Sequence, residues 1–190
     1  EDGSFYAFNV KYAAEPEKLN IEMQDFLAPT AGRLPSNRSD IYFKELGSES
    51  PILVKLIMQS IYQSDKRRIK HIGAQQFGMK FLLRGLYAHN GLFYFYMRID
   101  NDTNMPFVVD FVTFKVVDKK VAKRTAMQEQ VLQPLRAYHQ LLEVKANDNE
   151  RGVFVLEQFS LSQDKELQVT LYERGGGRTL SFSLDQENLL

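Results

Sequence analysis

Apolar residues recur along the chain with two different periods, and the change falls near residue 70. Between Pro51 and Ser64 the spacing is helical. Ile52, Leu53, Leu56, Ile57 and Ile61 form one face, Val54, Met58 and Tyr62 widen it, and Lys55, Gln59 and Gln63 leave a narrow polar stripe. Ser50 suits the N-cap and Pro51 the first helical position, where a missing N–H costs nothing. The spacing predicts a helix over 51–64 covered on most sides, either as a core element or by docking against another chain. Core burial is the simpler expectation.

From Phe77 onward period two takes over. Phe77, Met79, Phe81 and Leu83 alternate with Gly78, Lys80 and Arg84. Asn90-Gly91 marks a hairpin turn, and Phe93, Phe95, Met97 and Ile99 return on one face. Val108, Val112, Phe114 and Val116 share a face of a third strand. Leu167, Val169 and Leu171 pair in pattern with Leu180, Phe182 and Leu184 across Gly175-Gly176-Gly177. Strands over Thr125–Leu132 and Val153–Phe159 complete a set of about seven short strands with no helix between them, as in two-sheet architectures. The expectation is a mainly β fold: an immunoglobulin-like antiparallel β-sandwich over residues 66–190. An N-terminal segment, residues 1–65, contains the one α-helix. A closed barrel is the alternative. Upstream, Tyr6, Phe8, Val10 and Tyr12 alternate as a strand, Leu27 to Asp40 reads as a loop, and Ile41–Phe43 as a short strand.

Composition narrows the classes. The chain has 190 residues, 44% hydrophobic and 25% charged, the balance of a folded domain rather than a disordered one. With no Cys, it has no disulfide, no thiolate metal cluster and no cysteine nucleophile. Lys plus Arg and Asp plus Glu both number 24, so nucleic acid is not an expected partner. The positive charge is not spread evenly. It gathers over Lys66–Lys70 and over Lys115–Arg124, while acids are common from Glu143 onward. The chain starts at Glu1 without Met, so it is expected to begin inside a longer gene product. No run reaches the length of a membrane helix.

Catalytic motifs do not emerge. His71, His89 and His139 are not spaced as metal ligands, there is no Gly-x-Ser-x-Gly elbow, and the triple glycine joins two strands rather than a strand and a helix. Neither a cofactor nor a metal is expected. The basic turn with Lys119, Lys120, Lys123 and Arg124 could meet an acidic partner, DNA or a membrane surface, and Arg178 beside the glycines could meet a partner, but a solvated charged loop and an exposed cross-strand arginine are the simpler expectations. Asn37-Arg38-Ser39 and Asn101-Asp102-Thr103 match the glycosylation pattern, the second being better explained as turn chemistry.

Longer strings carry more. Pro16-Glu17-Lys18-Leu19-Asn20-Ile21, Lys44-Glu45-Leu46-Gly47-Ser48-Glu49-Ser50-Pro51 and Lys70-His71-Ile72-Gly73 occur in order. They are followed by Phe77-Gly78, Asp110-Phe111, Asp118-Lys119-Lys120-Val121-Ala122-Lys123-Arg124-Thr125-Ala126, Gln128-Glu129 and Gly176-Gly177-Arg178. Together they resemble the Bacteroides conjugative transposon TraN family over essentially the whole chain. Gly175 departs from the family, which tends to carry Asn there; both residues tolerate a left-handed turn.

The resemblance implies an exported, non-enzymatic structural subunit of a conjugative, type IV secretion-like DNA-transfer apparatus, on the periplasmic side of the outer membrane. Its implied partners are an outer-membrane lipoprotein and a channel-forming subunit, with a homo-oligomeric ring in the assembly. Phe5–Tyr12 would then be the last strand of a truncated β domain. Contacts are expected through sheet faces and edges and through the helix, with Leu56 and Met58 as candidates. A competing expectation is a carbohydrate- or DNA-contacting module, with Tyr94 and Tyr96 as an exposed stacking platform on the face opposite Phe93 and Phe95.

Overall fold

Pro51 opens the first helix among the described residues, α1 (Pro51–Ser64), with Ser50 extended in front of it. The Ser50 carbonyl accepts the first intrahelical bond from the Val54 N–H at 3.1 Å, although its hydroxyl makes no capping bond. Asp65 closes the helix in the left-handed conformation, at φ 44°. The computed structural model describes residues 41–42, 49–119 and 129–189. They all fall in one compact unit spanning residues 37–190. The strand expected at Phe5–Tyr12, and the loop following it, lie outside the described residues.

Eleven strands are described. In chain order they are β1 (Ile41–Tyr42), β2 (Gly73–Gln76), β3 (Met79–His89), β4 (Leu92–Asn101), β5 (Phe107–Asp118), β6 (Gln130–Leu132), β7 (Arg136–Tyr138), β8 (Glu143–Val144), β9 (Asp148–Glu157), β10 (Lys165–Glu173) and β11 (Thr179–Leu184). A one-turn helix, α2 (Gln186–Leu189), follows. All described pairings are antiparallel. One sheet runs β1-β7-β9-β4-β3-β2. The other runs β11-β10-β5-β6, with β8 also paired to β5. The fold is therefore mainly β, with antiparallel sheets and two helices among the described residues.

The two sheets share one apolar core. Phe81 meets Phe182 with ring centroids 5.0 Å apart, and Phe114 lies 5.4 Å from Phe95 and 5.8 Å from Phe154. Met79, Phe81 and Leu83 on β3, Phe95, Met97 and Ile99 on β4, and Leu167, Val169 and Leu171 on β10 fill it. The Asn90-Gly91 hairpin forms as its sequence predicts, with both residues at positive φ (44° and 73°), the backbone of a type I′ turn.

Two bulges change the alternation. At Arg84 the register of β3 against β4 slips by one residue, so Phe81 and Leu83 face the core before it and Leu86 after it. A similar slip leaves Asp110 on β5 unpaired with β10. In consequence Phe107 and Val109 turn inward, rather than the Val108 expected from a uniform period. Phe77 is a further correction. It is not the first residue of an alternating strand but half of a Phe77-Gly78 turn (φ 56° and 70°), and its ring is exposed. Turn geometry overrides period two there, because β2 must reverse into β3.

Strands β2, β7 and β8 were not foreseen, and β9 starts at Asp148 rather than Val153. Asn101 organises the β4–β5 turn. Its side chain is buried, donates to the carbonyls of Met105 (2.7 Å), Val144 (3.2 Å) and Lys145 (3.1 Å), and accepts from the Thr103 N–H (3.0 Å). That burial makes it a turn residue rather than a glycosylation acceptor.

Candidate functional site

Strand β4 carries the run Leu92-Phe93-Tyr94-Phe95-Tyr96-Met97, and all six residues are buried. Alternation sends Phe93 and Phe95 into the core between the sheets and Tyr94 and Tyr96 to the outer side. Helix α1 lies over that outer side. Val54, Met58 and Ile61 pack against Leu92, Tyr94 and Tyr96 of β4, Val153 and Val155 of β9, and Leu135. The expectation of an exposed Tyr94–Tyr96 platform is thereby overturned: both rings are 0% exposed. Period two had placed them correctly on the face opposite the phenylalanines, but not the helix that covers it. Met58 is corrected for the same reason. At 2% exposure it belongs to this seal rather than to a free surface.

A polar cluster fastens the C-terminal end of the helix. Its left-handed turn brings the Asp65 carboxylate over the sheet. Tyr96 donates to Asp65 Oδ1 at 2.5 Å, and Arg84 lies 3.2 Å from the same oxygen. Arg151 meets Oδ2 at 2.8 Å and donates to the Tyr96 hydroxyl at 3.1 Å. Arg84 also donates to the Asp65 carbonyl at 3.1 Å. The Arg151 guanidinium covers the Tyr62 ring at 4.7 Å, and Tyr62 in turn stacks on His139 at 4.2 Å.

Burial by itself would raise the Asp65 pKa. The hydrogen bonds from Tyr96 and Arg151 and the charges of Arg84 and Arg151 outweigh it and hold the carboxyl below its ordinary range. Burial, and next the bond to Asp65, push the Tyr96 hydroxyl up to about 12. Burial also pushes Tyr94 up to about 12, with the charge of Glu49 adding to it. The Tyr94 hydroxyl finds no hydrogen-bond partner among the described residues.

The other flank of α1 is uncovered among the described residues. Ile52 is 73%, Leu56 56% and Leu53 41% exposed. Leu56 thus stays a candidate contact residue where Met58 does not. Between the C-terminal half of the helix and β3 lies a groove of about 330 Å³, lined by Ile57, Ser60, Ile61, Ser64, Lys66, Arg68 and Tyr87. The Arg68 guanidinium sits over the Tyr87 ring at 5.6 Å.

The other candidate residues do not join this site. Lys119 pairs with Asp185 at 2.8 Å, and its N–H bonds the Asp164 carbonyl. Lys120, Lys123 and Arg124 lie outside the described residues. Arg178 is held at its own hairpin by Glu173, donates to the Pro106 carbonyl at 2.9 Å and covers the Phe107 ring at 5.0 Å. Bonding from Arg178 holds the Glu173 carboxyl low. Among the described residues no group of three or more His, Asp or Glu is placed to hold a metal, and no helix is long and apolar enough to cross a membrane.

Asp65, Arg84 and Arg151 form no motif along the sequence. Asp65 carried one signal, a polar residue directly after the last helical position, where chains often turn left-handed. Arg84 and Arg151 lie 19 and 86 residues further along, and only the β3–β4–β9 pairing unites them.

Residues 51–190 match a family described as a domain of unknown function, DUF4138. No curated protein and no solved structure matches the chain.

Proposed function

The chain belongs to the DUF4138 family. We propose that it is a non-enzymatic structural subunit of a conjugative, type IV secretion-like DNA-transfer apparatus. In this reading it is exported and works as a scaffold at the periplasmic side of the outer membrane. It contacts a lipoprotein and a channel-forming subunit, in a ring of its own copies. The resemblance to the conjugative transposon TraN family supplies the setting. The observation that carries the scaffold reading is the divided helix: one side of α1 seals the sheet, while Ile52, Leu53 and Leu56 present apolar surface outward. Singly exposed apolar residues are ordinary, but three together on one helix flank are the kind of surface that protein contacts use. The shared phenylalanine core of two antiparallel sheets supports an immunoglobulin-like β-sandwich as the finer description of the fold.

Nothing comparable favours the carbohydrate- or DNA-contacting alternative, whose aromatic platform lies under the helix. The test is affinity purification of the tagged full-length protein from membranes of cells carrying the transfer machinery. Co-purification with the lipoprotein and channel-forming components of that machinery is the expected result. Recovery of the protein free of every such component would overturn the reading.

A further inference from the structure

Leu53, Ile57, Ser60 and Ser64 stand at spacings of four, three and four, so they form a single stripe along α1, with Leu56 and Ile52 beside it. Ile57, Ser60, Ile61 and Ser64 of the helix make one wall of the 330 Å³ groove, and Tyr87 on β3 makes the other. The bulge at Arg84 is what brings Tyr87 to this outer side. Lys66 and Arg68 line the groove where the helix ends.

These two cations are differently placed from their neighbours. Arg67 turns back on its own backbone, donating to the carbonyls of Ile69 (3.2 Å) and Lys70 (2.7 Å). Asp65, the acid adjacent in sequence, is taken by Arg84 and Arg151. Among the described residues no carboxylate pairs with Lys66 or Arg68, although the chain as a whole carries as many acids as bases. The result is a groove that is apolar along the helix, edged by the hydroxyls of Ser60 and Ser64, and cationic at its end.

We propose that this groove docks an acidic, amphipathic segment of a partner protein. Aliphatic or aromatic side chains of that segment lie on Ile57 and Tyr87 in the groove and on the exposed Leu53 and Leu56 of the same helix, and its carboxylates meet Lys66 and Arg68. Charge complementarity selects the occupant, because a basic or purely apolar segment would leave both cations unanswered. The proposal rests on the scaffold reading and adds the chemistry of the partner.

The probe is a fluorescent helical peptide of roughly 14 residues with Leu at helical spacing and Glu elsewhere, titrated into the full chain. A matched peptide with Lys in place of Glu is the control. Expected are saturable binding of the acidic peptide alone, about tenfold weakening by Lys66→Glu with Arg68→Glu, similar weakening by Leu56→Glu, and loss at high salt. Amide shifts in the labelled protein should centre on residues 53–68 and Tyr87. These substitutions are on exposed or rim positions, and an unchanged melting temperature confirms that each variant is folded. Four results would each overturn the proposal: equal binding of both peptides; binding unaffected by the charge reversals; stronger recruitment of the chain to anionic phospholipid vesicles than to the peptide, abolished by the same reversals; or binding that appears only after removal of residues 1–40, which would make this chain's own N-terminal segment the occupant. Normal co-purification with the transfer machinery, combined with no peptide binding, would remove this proposal and leave the scaffold reading standing. Peptide binding without co-purification would do the reverse.

Discussion

Phe95 and Tyr96 are neighbours on β4, and both are fully buried, yet they are covered by different kinds of structure. Phe95 packs between two sheets, against Phe114 across the core, within a cluster of buried apolar side chains. Tyr96 lies under a helix that precedes the strand, and its hydroxyl joins Asp65 and Arg151 in a directional cluster. The inner side depends on the pairing of long strands that close the whole unit. The outer side depends on one 14-residue helix, held by the buried Val54, Met58 and Ile61, the partly buried Ile57 and Tyr62, and the Asp65 carboxylate just after it. Equal burial therefore conceals unequal commitment to the fold. An element joined through few contacts can open locally without global unfolding.

The widest separation between the two sides is expected from truncation. Phe95→Ala should cost about 3–5 kcal/mol in a urea titration, because it empties a site walled by both sheets. Met58→Ala, on the helix side, should cost about 2 kcal/mol, the low end for such a change, since a helix on a sheet surface can settle toward the gap. Equal losses at the two positions would break the comparison.

The tyrosines offer a finer division. Tyr96→Phe removes a bond to a carboxylate and should cost about 1–2 kcal/mol. Tyr94→Phe, of the same size and burial, removes a hydroxyl with no hydrogen-bond partner among the described residues. It should leave stability within about 0.5 kcal/mol of the parent or raise it slightly. A costly Tyr94→Phe would show that this hydroxyl is bonded after all.

The smallest effect concerns pH. The Asp65 carboxyl is held below its ordinary value of 3.8 in the folded chain. Its contribution is therefore complete above that value and fades as pH falls through the lower folded pKa. The carboxylate is 42% exposed, so the contribution is modest. Asp65→Asn should lower stability at neutral pH and narrow its gap to the parent below pH of about 4. A constant gap across that range would separate Asp65 from the acid sensitivity of the fold.

Much of the framework was legible because it follows from local spacing. Pro51–Ser64 formed with the expected limits, Asn90-Gly91 turned as expected, and Leu167, Val169, Leu171, Leu180, Phe182 and Leu184 all reached the core. The site was less legible, for identifiable reasons. A tyrosine opposite a core phenylalanine reads as exposed until something covers it, and that cover, Val54 to Ile61, lies on a helix well upstream of Tyr94. The bulges at Arg84 and Asp110 shift the alternation by one residue, which no uniform period reveals. Ile52, Leu53 and Leu56 shared an apolar helix face with Ile57 and Ile61, and hydrophobicity alone did not say which side would meet the sheet.

Native-state hydrogen exchange on the full chain tests the unequal commitment of the two sides most directly. In the parent, amides of α1 should exchange through a smaller opening free energy than those of β3, β4 and β9. Tyr96→Phe should accelerate exchange in α1 alone, whereas Phe95→Ala should accelerate it throughout both sheets. Uniform acceleration by Tyr96→Phe, or protection of α1 equal to that of β4, would contradict the account.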